Sequence, residues 1–486
     1  MKILFAAVEV FPFAKVGGLA DIMHSLPPAL KAPGVEVAVI MPKHFVIPEE
    51  YRSRMNHVTQ FDMTLGWQTV YCGLEELYLD GIQYYFIDNE YYFYRDKVYG
   101  YPDDGERFAY FSKAVLECIR MYPDMMPQVL HCNDWHTALI PLYLTELYWQ
   151  NPILSTMRTV LTIHNLRHQG RFSLDCYDSL LGLGECQYAW NKLEYHNCLN
   201  FMKGGILSAD CVSTVSPTYA QEIKEDFFGE GLNTVICSKG EAVWGILNGI
   251  PDVKLPFCKK TAQETTIMPK KLEGFKQEHK QRLQEELNLP IRPEVMLAAI
   301  VTRLDRQKGI ELLEPILDEL LQGDIQIIVL GSGEKEYEDL FRDFAYRYPN
   351  KLGLSLGYNE TLADTLYKGA DVLFMPSLFE PCGLSQMLAM RYGTLPIVRE
   401  TGGLQDTVIA YNEFTGEGTG FSFRPYDAYE FLHVINYAAY VFWNDKKAWE
   451  SIRRQAAAAD FSWKASAGKY RELYESILHP EEKEGK

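Results

Sequence analysis

The sequence predicts an α/β protein with two doubly wound domains, each built on a parallel sheet. Strand patterns and helix patterns alternate along the chain, and this alternation favours parallel strands joined by right-handed crossovers. A Gly-Gly-Leu-x-Asp motif occurs twice, at residues 17–21 and 402–406, each time after an apolar strand. A length of 486 residues is too great for one hydrophobic core. We therefore expect two similar domains that face one ligand.

The first copy of the motif belongs to residues 15–21, Lys-Val-Gly-Gly-Leu-Ala-Asp. It follows an apolar run at residues 2–8, which is typical of a buried parallel strand, and precedes a helical pattern that continues through Leu30. Glycines let backbone N–H groups approach a ligand, and a helix N-terminus favours an anion. We expect a phosphate at Lys15 and the Gly18 N–H. A tight strand-to-helix turn with a surface lysine remains the alternative.

Composition argues against several functions. The net charge is −18 and there is no basic block, so nucleic acid or an anionic membrane is not expected as the main partner. No apolar run approaches the length of a membrane span, and Glu9 interrupts the apolar start of the chain, so no signal peptide is predicted. The ten cysteines form no Cys-x-x-Cys pair, which favours a reduced cytoplasm over a disulfide framework or a zinc site.

Two more strands of the first domain run into polar residues. Residues 129–133 lead to Asp134, and residues 159–163 lead to His164. Ligands bind outside the carboxyl ends of strands in doubly wound sheets, so both side chains are candidates for a substrate site. Asp134 could instead cap a helix that begins near Thr137, and a single histidine is more often structural.

An aromatic cluster occupies residues 91–94 and continues to Tyr99 and Tyr101. Aromatic rings stack on the faces of sugars, so the cluster is a candidate saccharide surface. Packing within a loop explains the same residues equally well. Before the cluster, residues 71–88 alternate apolar and polar positions in two runs around Asp80-Gly81, which predicts a β-hairpin.

The domain boundary is expected at residues 245–251, where glycine, asparagine and proline cluster. This divides the chain into domains at 1–244 and 245–460. The C-terminal segment, residues 461–486, is amphipathic and is expected to form a helix that packs back on the first domain.

Three charged residues of the second domain follow predicted strands. Arg303 and Lys308 come at the carboxyl end of a strand that begins at Val295, where two cations suit a diphosphate; as surface charges alone they would be unremarkable. Glu380 lies in a loop before a helix predicted over residues 385–391. A carboxylate there can hold sugar hydroxyls, and the helix N-terminus can hold phosphate.

The chain resembles the bacterial glycogen synthase and plant starch synthase family, whose motifs appear here in family order. They occupy residues 15–21, 131–136, 162–166, 213–220, 245–249, 303–309, 380–384 and 401–404. The resemblance implies a retaining glucosyltransferase with two Rossmann-like domains that face each other across a deep cleft, the GT-B type. The chain departs from the family pattern at Ile22-Met23 and after Ile250. Related transferases often carry a second glutamate where Leu388 stands, so Glu380 is expected to act alone.

The resemblance also implies the reaction and the site residues. Glucose would pass from a nucleoside diphosphate, most often ADP-glucose, to the non-reducing end of an α-1,4-glucan such as glycogen, in the cytoplasm. No cofactor and no metal are implied, and no Asp-x-Asp motif stands in a suitable loop. The catalytic residues would be Asp134, His164, Arg303, Lys308 and Glu380. The substrate-binding residues would be Lys15, Gly18, Asp21, Asn248, Tyr358, Cys382, Gly383, Leu384, Thr401 and Gly402.

Two functions of other classes are alternatives to this one. A glucan phosphorylase shares the two-domain design but needs a lysine that carries pyridoxal phosphate and a much longer chain. A catalytically silent glucan-binding protein of the same fold is the second alternative. The intact set of Lys15, Arg303, Lys308 and Glu380 argues against it.

Overall fold

The computed structural model describes residues 1–184, 187–260 and 265–479. Cys186 and the end of the predicted C-terminal helix, residues 480–486, lie outside this range. The chain forms two compact units: Met1–Pro251 together with the chain from Ser462 onward, and Asp252–Phe461. The first unit thus runs past the expected boundary at residue 244, because Val243–Gly245 adds a strand to its sheet and Gly249 packs against Trp463.

The strands are numbered along the chain. They are β1 Lys2–Ala6, β2 Glu36–Pro42, β3 Asn56–Leu65, β4 Gln68–Leu79, β5 Ile82–Asp88, β6 Val129–Asn133, β7 Arg158–Ile163, β8 Arg171–Phe172, β9 Glu194–Tyr195, β10 Cys198–Asn200, β11 Cys211–Thr214, β12 Val243–Gly245, β13 Cys258–Lys260, β14 Thr265–Ile267, β15 Met296–Val301, β16 Ile325–Gly331, β17 Leu352–Leu356, β18 Val372–Met375, β19 Leu395–Arg399 and β20 Phe421–Phe423.

The α-helices are numbered in the same way. They are α1 Gly18–Leu30, α2 Glu49–Arg52, α3 Glu90–Phe93, α4 Asp104–Met121, α5 Leu139–Glu146, α6 Gln187–Leu193, α7 Phe201–Ser208, α8 Pro217–Glu222, α9 Asn233–Cys237, α10 Pro269–Glu286, α11 Leu317–Gln322, α12 Lys335–Arg347, α13 Glu360–Gly369, α14 Ser385–Arg391, α15 Gly402–Thr407, α16 Ala428–Asn444, α17 Lys446–Ala458 and α18 Trp463–Leu478. Short 3-10 helices include Trp135–Thr137 and Arg306–Lys308, and Tyr177–Leu181 is a π-helix.

The sheet of the first unit has nine strands in the order β12-β11-β7-β6-β1-β2-β5-β4-β3. Neighbours from β12 to β5 pair in parallel, whereas β4 and β3 extend the edge in antiparallel pairing. The turn between β4 and β5 has positive φ at Asp80 and Gly81, as a two-residue hairpin requires. The chain passes from β1 to β2 on one side and takes up β6 on the other, so the topological switch point lies between β1 and β6.

The sheet of the second unit is parallel throughout, in the order β17-β16-β15-β18-β19-β20. Its switch point lies between β15 and β18. Both strands are buried and apolar, which explains why their sequences read as continuous hydrophobic runs. The predicted α/β fold with two doubly wound parallel sheets is confirmed.

Helix α18 packs on the first unit, where it touches α1 and buries Trp463, Tyr470 and Tyr474. A chain of hydrogen bonds ties it to the sheet. The Tyr474 hydroxyl lies 2.7 Å from His131 Nδ1, and His131 Nε2 lies 2.5 Å from Thr162 Oγ1. Removing α18 would expose these polar groups together with an apolar face, so the helix is integral to the first unit.

Candidate active site

Three predicted site segments of the first unit follow neighbouring strands at the carboxyl edge of its sheet. The Gly-Gly turn follows β1, Asp134 follows β6 and His164 follows β7. They therefore surround the topological switch point, where doubly wound sheets bind ligands.

The Gly-Gly turn leaves free space beside the backbone at the start of α1. Gly17 is extended, with φ −137°, and the helix begins at Gly18. A Cβ placed on Gly18 would meet no atom of the described chain within 4 Å. Lys15 Nζ lies 2.9 Å from Asp21 Oδ1, and both side chains are partly exposed. An anion can thus approach the Gly18 N–H beside a lysine that is already held near the helix start.

Asp134 joins two segments of the site. Its Oδ1 accepts a hydrogen bond of 2.8 Å from the backbone N–H of His164. Asp134 has φ +57°, and its side chain makes no capping hydrogen bond to the 3-10 helix that follows. Burial, with a smaller contribution from the charge of Glu9, raises the pKa of Asp134 to about 7. The capping alternative is therefore wrong for this residue, which instead holds the turn after β7.

The ring of His164 is neutral and has a defined tautomer. Asn133 donates through Nδ2 to the Ala6 carbonyl, so its Oδ1 faces His164 at 2.9 Å and accepts a hydrogen bond from the Nε2–H of the ring. The ring nitrogen Nδ1 is buried and has no hydrogen-bond partner among the described residues. Burial lowers the pKa of His164 to about 3. Nδ1 is therefore available as an acceptor at neutral pH.

Three buried histidines and the half-buried His164 predict that acid destabilises the first unit. Burial lowers the pKa of His44, His131 and His164 to about 3, and that of His136 well below its ordinary value. The unfolded chain binds a proton at each ring near pH 6.5 and the folded chain does not, so the free energy of unfolding falls as pH drops below 6.5. Each ring contributes a slope of about 1.4 kcal/mol per pH unit. Asp134 has the opposite effect on the free energy of unfolding. The folded state keeps one proton on its carboxyl group up to about pH 7, whereas the unfolded chain loses that proton at lower pH.

The measurement is urea unfolding between pH 7 and pH 4.5, with wild type compared to His131→Gln. Glutamine keeps hydrogen-bonding capacity at this site and does not titrate. We expect unfolding of the variant to take up about one proton fewer than unfolding of wild type. An identical pH slope in the two proteins would contradict a neutral His131.

Asn248 is a buried polar residue of the first unit, only 4% exposed. Its Oδ1 accepts no hydrogen bond within the part of the chain that the structure describes. A buried acceptor without a donor is costly, so a hydroxyl of a bound ligand is a natural partner for it.

Lys308 and Glu380 form an ion pair in the second unit, at the switch point between β15 and β18. Lys308 Nζ lies 2.6 Å from Glu380 Oε2, and Ser377 Oγ donates to the same oxygen at 3.1 Å. Both charged side chains are largely buried, with 17% and 7% exposure. A pocket opens beside them and is also lined by Thr302 and Gly383. This pocket carries one buried ammonium and one buried carboxylate.

The segment that carries Lys308 is shaped by Asp305 and Gly309. Asp305 Oδ1 accepts from the Lys308 N–H at 3.1 Å and caps the 3-10 helix. Arg303 is exposed and pairs with Asp305 at 3.1 Å. Gly309 has φ +70°, and a Cβ there would lie 2.0 Å from the Pro376 carbonyl oxygen. Only glycine permits this approach, which joins the Lys308 segment to the loop of Glu380.

The second Gly-Gly motif is packed against the loop of Glu380. A Cβ at Gly402 would lie 2.0 Å from the Glu380 carbonyl oxygen, and a Cβ at Gly403 would lie 2.0 Å from that of Cys382. The Gly403 N–H donates to the Glu380 carbonyl at 3.1 Å. The two copies of the motif therefore differ: the first leaves its backbone open at Gly18, and the second supports a loop of its own unit.

The remaining predicted residues of the second unit lie near this loop or at its edge. Gln386 Nε2 donates to the carbonyls of Cys382 and Gly383, and Leu384 directly precedes α14. Thr401 is buried at the start of α15. Tyr358, after β17, is 81% exposed.

The aromatic cluster divides into inner and outer residues. Tyr92 and Phe93 are fully buried, whereas Tyr91 and Tyr94 are 70% and 54% exposed. Loop packing therefore explains the inner pair, and the outer pair remains a candidate saccharide surface. Tyr99 belongs to neither group, because its hydroxyl donates to Glu9 at 2.9 Å.

Glu9 is the site residue that the sequence reasoning missed. In the sequence it stands out only as a charge that interrupts an apolar run, yet in the fold it is 3% exposed. The available signal was a carboxylate placed directly between a buried strand and a glycine turn. Buried carboxylates need several donors, and a turn supplies backbone N–H groups.

Within residues 1–184, 187–260 and 265–479, no three His, Cys, Asp or Glu side chains are grouped closely enough to hold a metal ion. Over the same ranges, no helix combines the length and apolar character needed to cross a membrane.

Solved structures of GT-B glycosyltransferases contain the same pair of doubly wound units. The catalytic domain of starch synthase IV from Arabidopsis thaliana, solved with ADP and acarbose, is 31% identical with a TM-score of 0.84, covering 98% of this chain and 99% of that one. A sucrose-phosphate synthase from Thermosynechococcus elongatus is 18% identical with a TM-score of 0.61, covering 99% of each chain, which shows the fold alone.

Sequence relatives give the family. Residues 2–238 match the starch synthase catalytic domain, and residues 281–440 match the glycosyl transferases group 1. The glycogen synthase of Clostridium novyi is 47% identical over 480 residues, covering 99% of this chain and all of that protein. That of Caldicellulosiruptor saccharolyticus is 48% identical over 481 residues, covering 98% and 100%. The chain belongs to the glycogen synthase and starch synthase family, as the resemblance predicted.

Proposed function

We propose that this glycosyltransferase transfers glucose from ADP-glucose to the non-reducing end of an α-1,4-glucan, with retention of configuration. The observation that carries the proposal is the buried pair of Lys308 and Glu380 in a pocket at the switch point of the second sheet. One cation suits a phosphate and one carboxylate suits sugar hydroxyls, which are the two parts of a nucleotide sugar. The ADP in the starch synthase IV structure supports an adenine nucleotide.

In the second unit, we assign the donor to the Lys308 pocket. Lys308 and Arg303 contact the diphosphate and stabilise the charge that develops on it as glucose leaves. Glu380 accepts hydrogen bonds from hydroxyls of the donor glucose, and exposed Tyr358 stacks on the base. The loop of residues 382–384 and the start of α15 at Thr401-Gly402 hold the Glu380 backbone against the donor.

In the first unit, Lys15 and the Gly18 N–H contact the phosphates, and Asp21 holds Lys15 in place. Asn248 Oδ1 and His164 Nδ1 are acceptors suited to sugar hydroxyls. Asp134 fixes the backbone at His164, and we assign the His164 carbonyl to contact with the anomeric carbon. In this scheme the leaving phosphate departs on the face that the acceptor attacks, and it takes the proton of the acceptor hydroxyl.

The test is incorporation of labelled glucose into glycogen from ADP-glucose and, in parallel, from UDP-glucose. Faster incorporation from ADP-glucose is expected. A catalytically silent glucan-binding protein would bind glycogen and incorporate label from neither donor. Faster incorporation from UDP-glucose would still show glucosyl transfer, but it would overturn the choice of donor.

Turnover should not depend on a divalent metal. Lys15, Arg303 and Lys308 supply the positive charge that a metal would otherwise bring to the diphosphate. We expect initial rates in EDTA to equal those in added Mg²⁺ or Mn²⁺. Loss of activity in EDTA that the metal restores would contradict this assignment.

A further inference from the structure

Glu9 is a buried carboxylate between β1 and α1 that the proposed reaction does not use. Its Oε2 accepts hydrogen bonds from the backbone N–H groups of Val16 at 2.7 Å and Gly17 at 2.6 Å. Its Oε1 accepts one from the Tyr99 hydroxyl at 2.9 Å. A buried carboxylate is unfavourable unless donors surround it, and these three donors account for its burial.

These contacts decide which face of the Gly-Gly turn remains open. The N–H groups of Val16 and Gly17 point to Glu9, so the donors left for an anion begin at Gly18, the first residue of α1. The first N–H groups of a helix have no partner within the helix. A Cβ at Gly17 would lie 4.0 Å from Glu9 Oε2, whereas a Cβ at Gly18 would meet nothing within 4 Å in the described chain.

Tyr99 extends the same contact to the segment of Asp134. The centroids of the Tyr99 and His136 rings lie 5.1 Å apart, and those of the His136 and Trp135 rings lie 4.0 Å apart. These two residues directly follow Asp134. One carboxylate therefore links the Gly-Gly turn to the turn after β6.

We propose that Glu9 is a positioning residue that orients the Gly-Gly turn, so that the Gly18 N–H and Lys15 face the diphosphate of the donor. This inference rests on the proposed function, because the diphosphate is the ligand that it concerns. Glu9 acts through its hydrogen bonds and does not touch the donor. Glutamine can reproduce them, since its carbonyl oxygen can accept both N–H groups and its amide can donate to the Tyr99 oxygen.

The experiment compares Glu9→Gln and Glu9→Ala with wild type, using ADP as the binding probe and ADP-glucose and glycogen as substrates. In Glu9→Ala, kcat/KM for ADP-glucose should fall about a hundredfold, as when one preorganised donor is lost. The KM for glycogen should stay unchanged. Glu9→Gln should remain within about threefold of wild type, because it keeps the hydrogen bonds.

Asp210 supplies a matched control at the amino ends of the strands of the same sheet, where it directly precedes β11. Its Oδ2 accepts from the Thr159 N–H at 2.8 Å and from Thr159 Oγ1 at 2.9 Å. Asp210→Ala therefore removes a carboxylate that also holds backbone, and it should lower the melting temperature without changing ADP-glucose kinetics. If Glu9→Ala fails to fold, Glu9→Asp replaces it: the shorter side chain cannot reach all three donors, and kcat/KM should fall about tenfold.

The outcomes separate this inference from the proposed function. Wild-type kinetics in folded Glu9→Ala or Glu9→Asp, with only the melting temperature lowered, would overturn the positioning role. Equal losses in Glu9→Gln and Glu9→Ala would overturn it too, because charge rather than hydrogen bonding would then matter. A wild-type protein that binds no ADP and transfers no glucose would instead overturn the proposed function, and this inference with it.

Discussion

Lys308→Ala should turn over about a hundred times more slowly than wild type, the scale of losing one preorganised charge at a developing anion. Lys308 Nζ lies 2.6 Å from Glu380 Oε2 and is mostly buried, so water cannot fully replace it. The capped 3-10 helix and Gly309 hold the lysine backbone in place. The charge is therefore already oriented before the donor arrives.

The same substitution also lowers stability, and the two effects must be separated. Without Lys308, the Glu380 carboxylate stays buried without its ammonium partner, which costs about 3 kcal/mol in comparable pairs. The double variant Lys308→Ala with Glu380→Gln removes that buried charge. We expect it to regain much of the stability while turnover stays low.

Measurements of kcat and of urea unfolding on both variants test this prediction. Lys368→Ala is the control, since Lys368 forms a partly exposed ion pair with Asp364 in the same unit and the substitution should leave kcat unchanged. Near wild-type turnover in folded Lys308→Ala would show that Lys308 does not contact the phosphates.

Gly309→Ala should destabilise the second unit by about 3 kcal/mol. Its φ of +70° costs an alanine about 1–2 kcal/mol, and the new methyl carbon would lie 2.0 Å from the Pro376 carbonyl oxygen. Relieving that overlap displaces the backbone, which adds about 1–3 kcal/mol. Pro376 directly precedes Ser377, which donates to Glu380, so turnover should fall as well.

Gly416→Ala isolates the conformational part of this effect. Gly416 has φ +74°, and a Cβ there would meet no described atom within 4 Å. Urea unfolding should show a loss of about 1 kcal/mol for this variant. Equal losses at positions 309 and 416 would mean that Gly309 and Pro376 do not approach each other as closely as described.

The sequence alone determined the class of fold, the reaction expected from the family motifs, and the position of each candidate residue along its strand. These features depend on local patterns: apolar runs for buried parallel strands, and glycine or proline where the chain turns. The hairpin at Asp80-Gly81 and the helix at residues 385–391 were predictable for this reason.

Only the tertiary structure decided which of these residues meet. Lys308 and Glu380 are 72 residues apart and meet because the neighbouring strands β15 and β18 deliver both side chains to one edge of a sheet. Tyr99 and Glu9 are 90 residues apart, and Tyr99 reaches Glu9 from the loop between α3 and α4. The two Gly-Gly motifs have the same letters, yet one leaves its backbone open and the other packs on a carbonyl oxygen. Sequence patterns act over a few residues, whereas hydrogen bonding and close packing depend on strand order, which brings distant residues together.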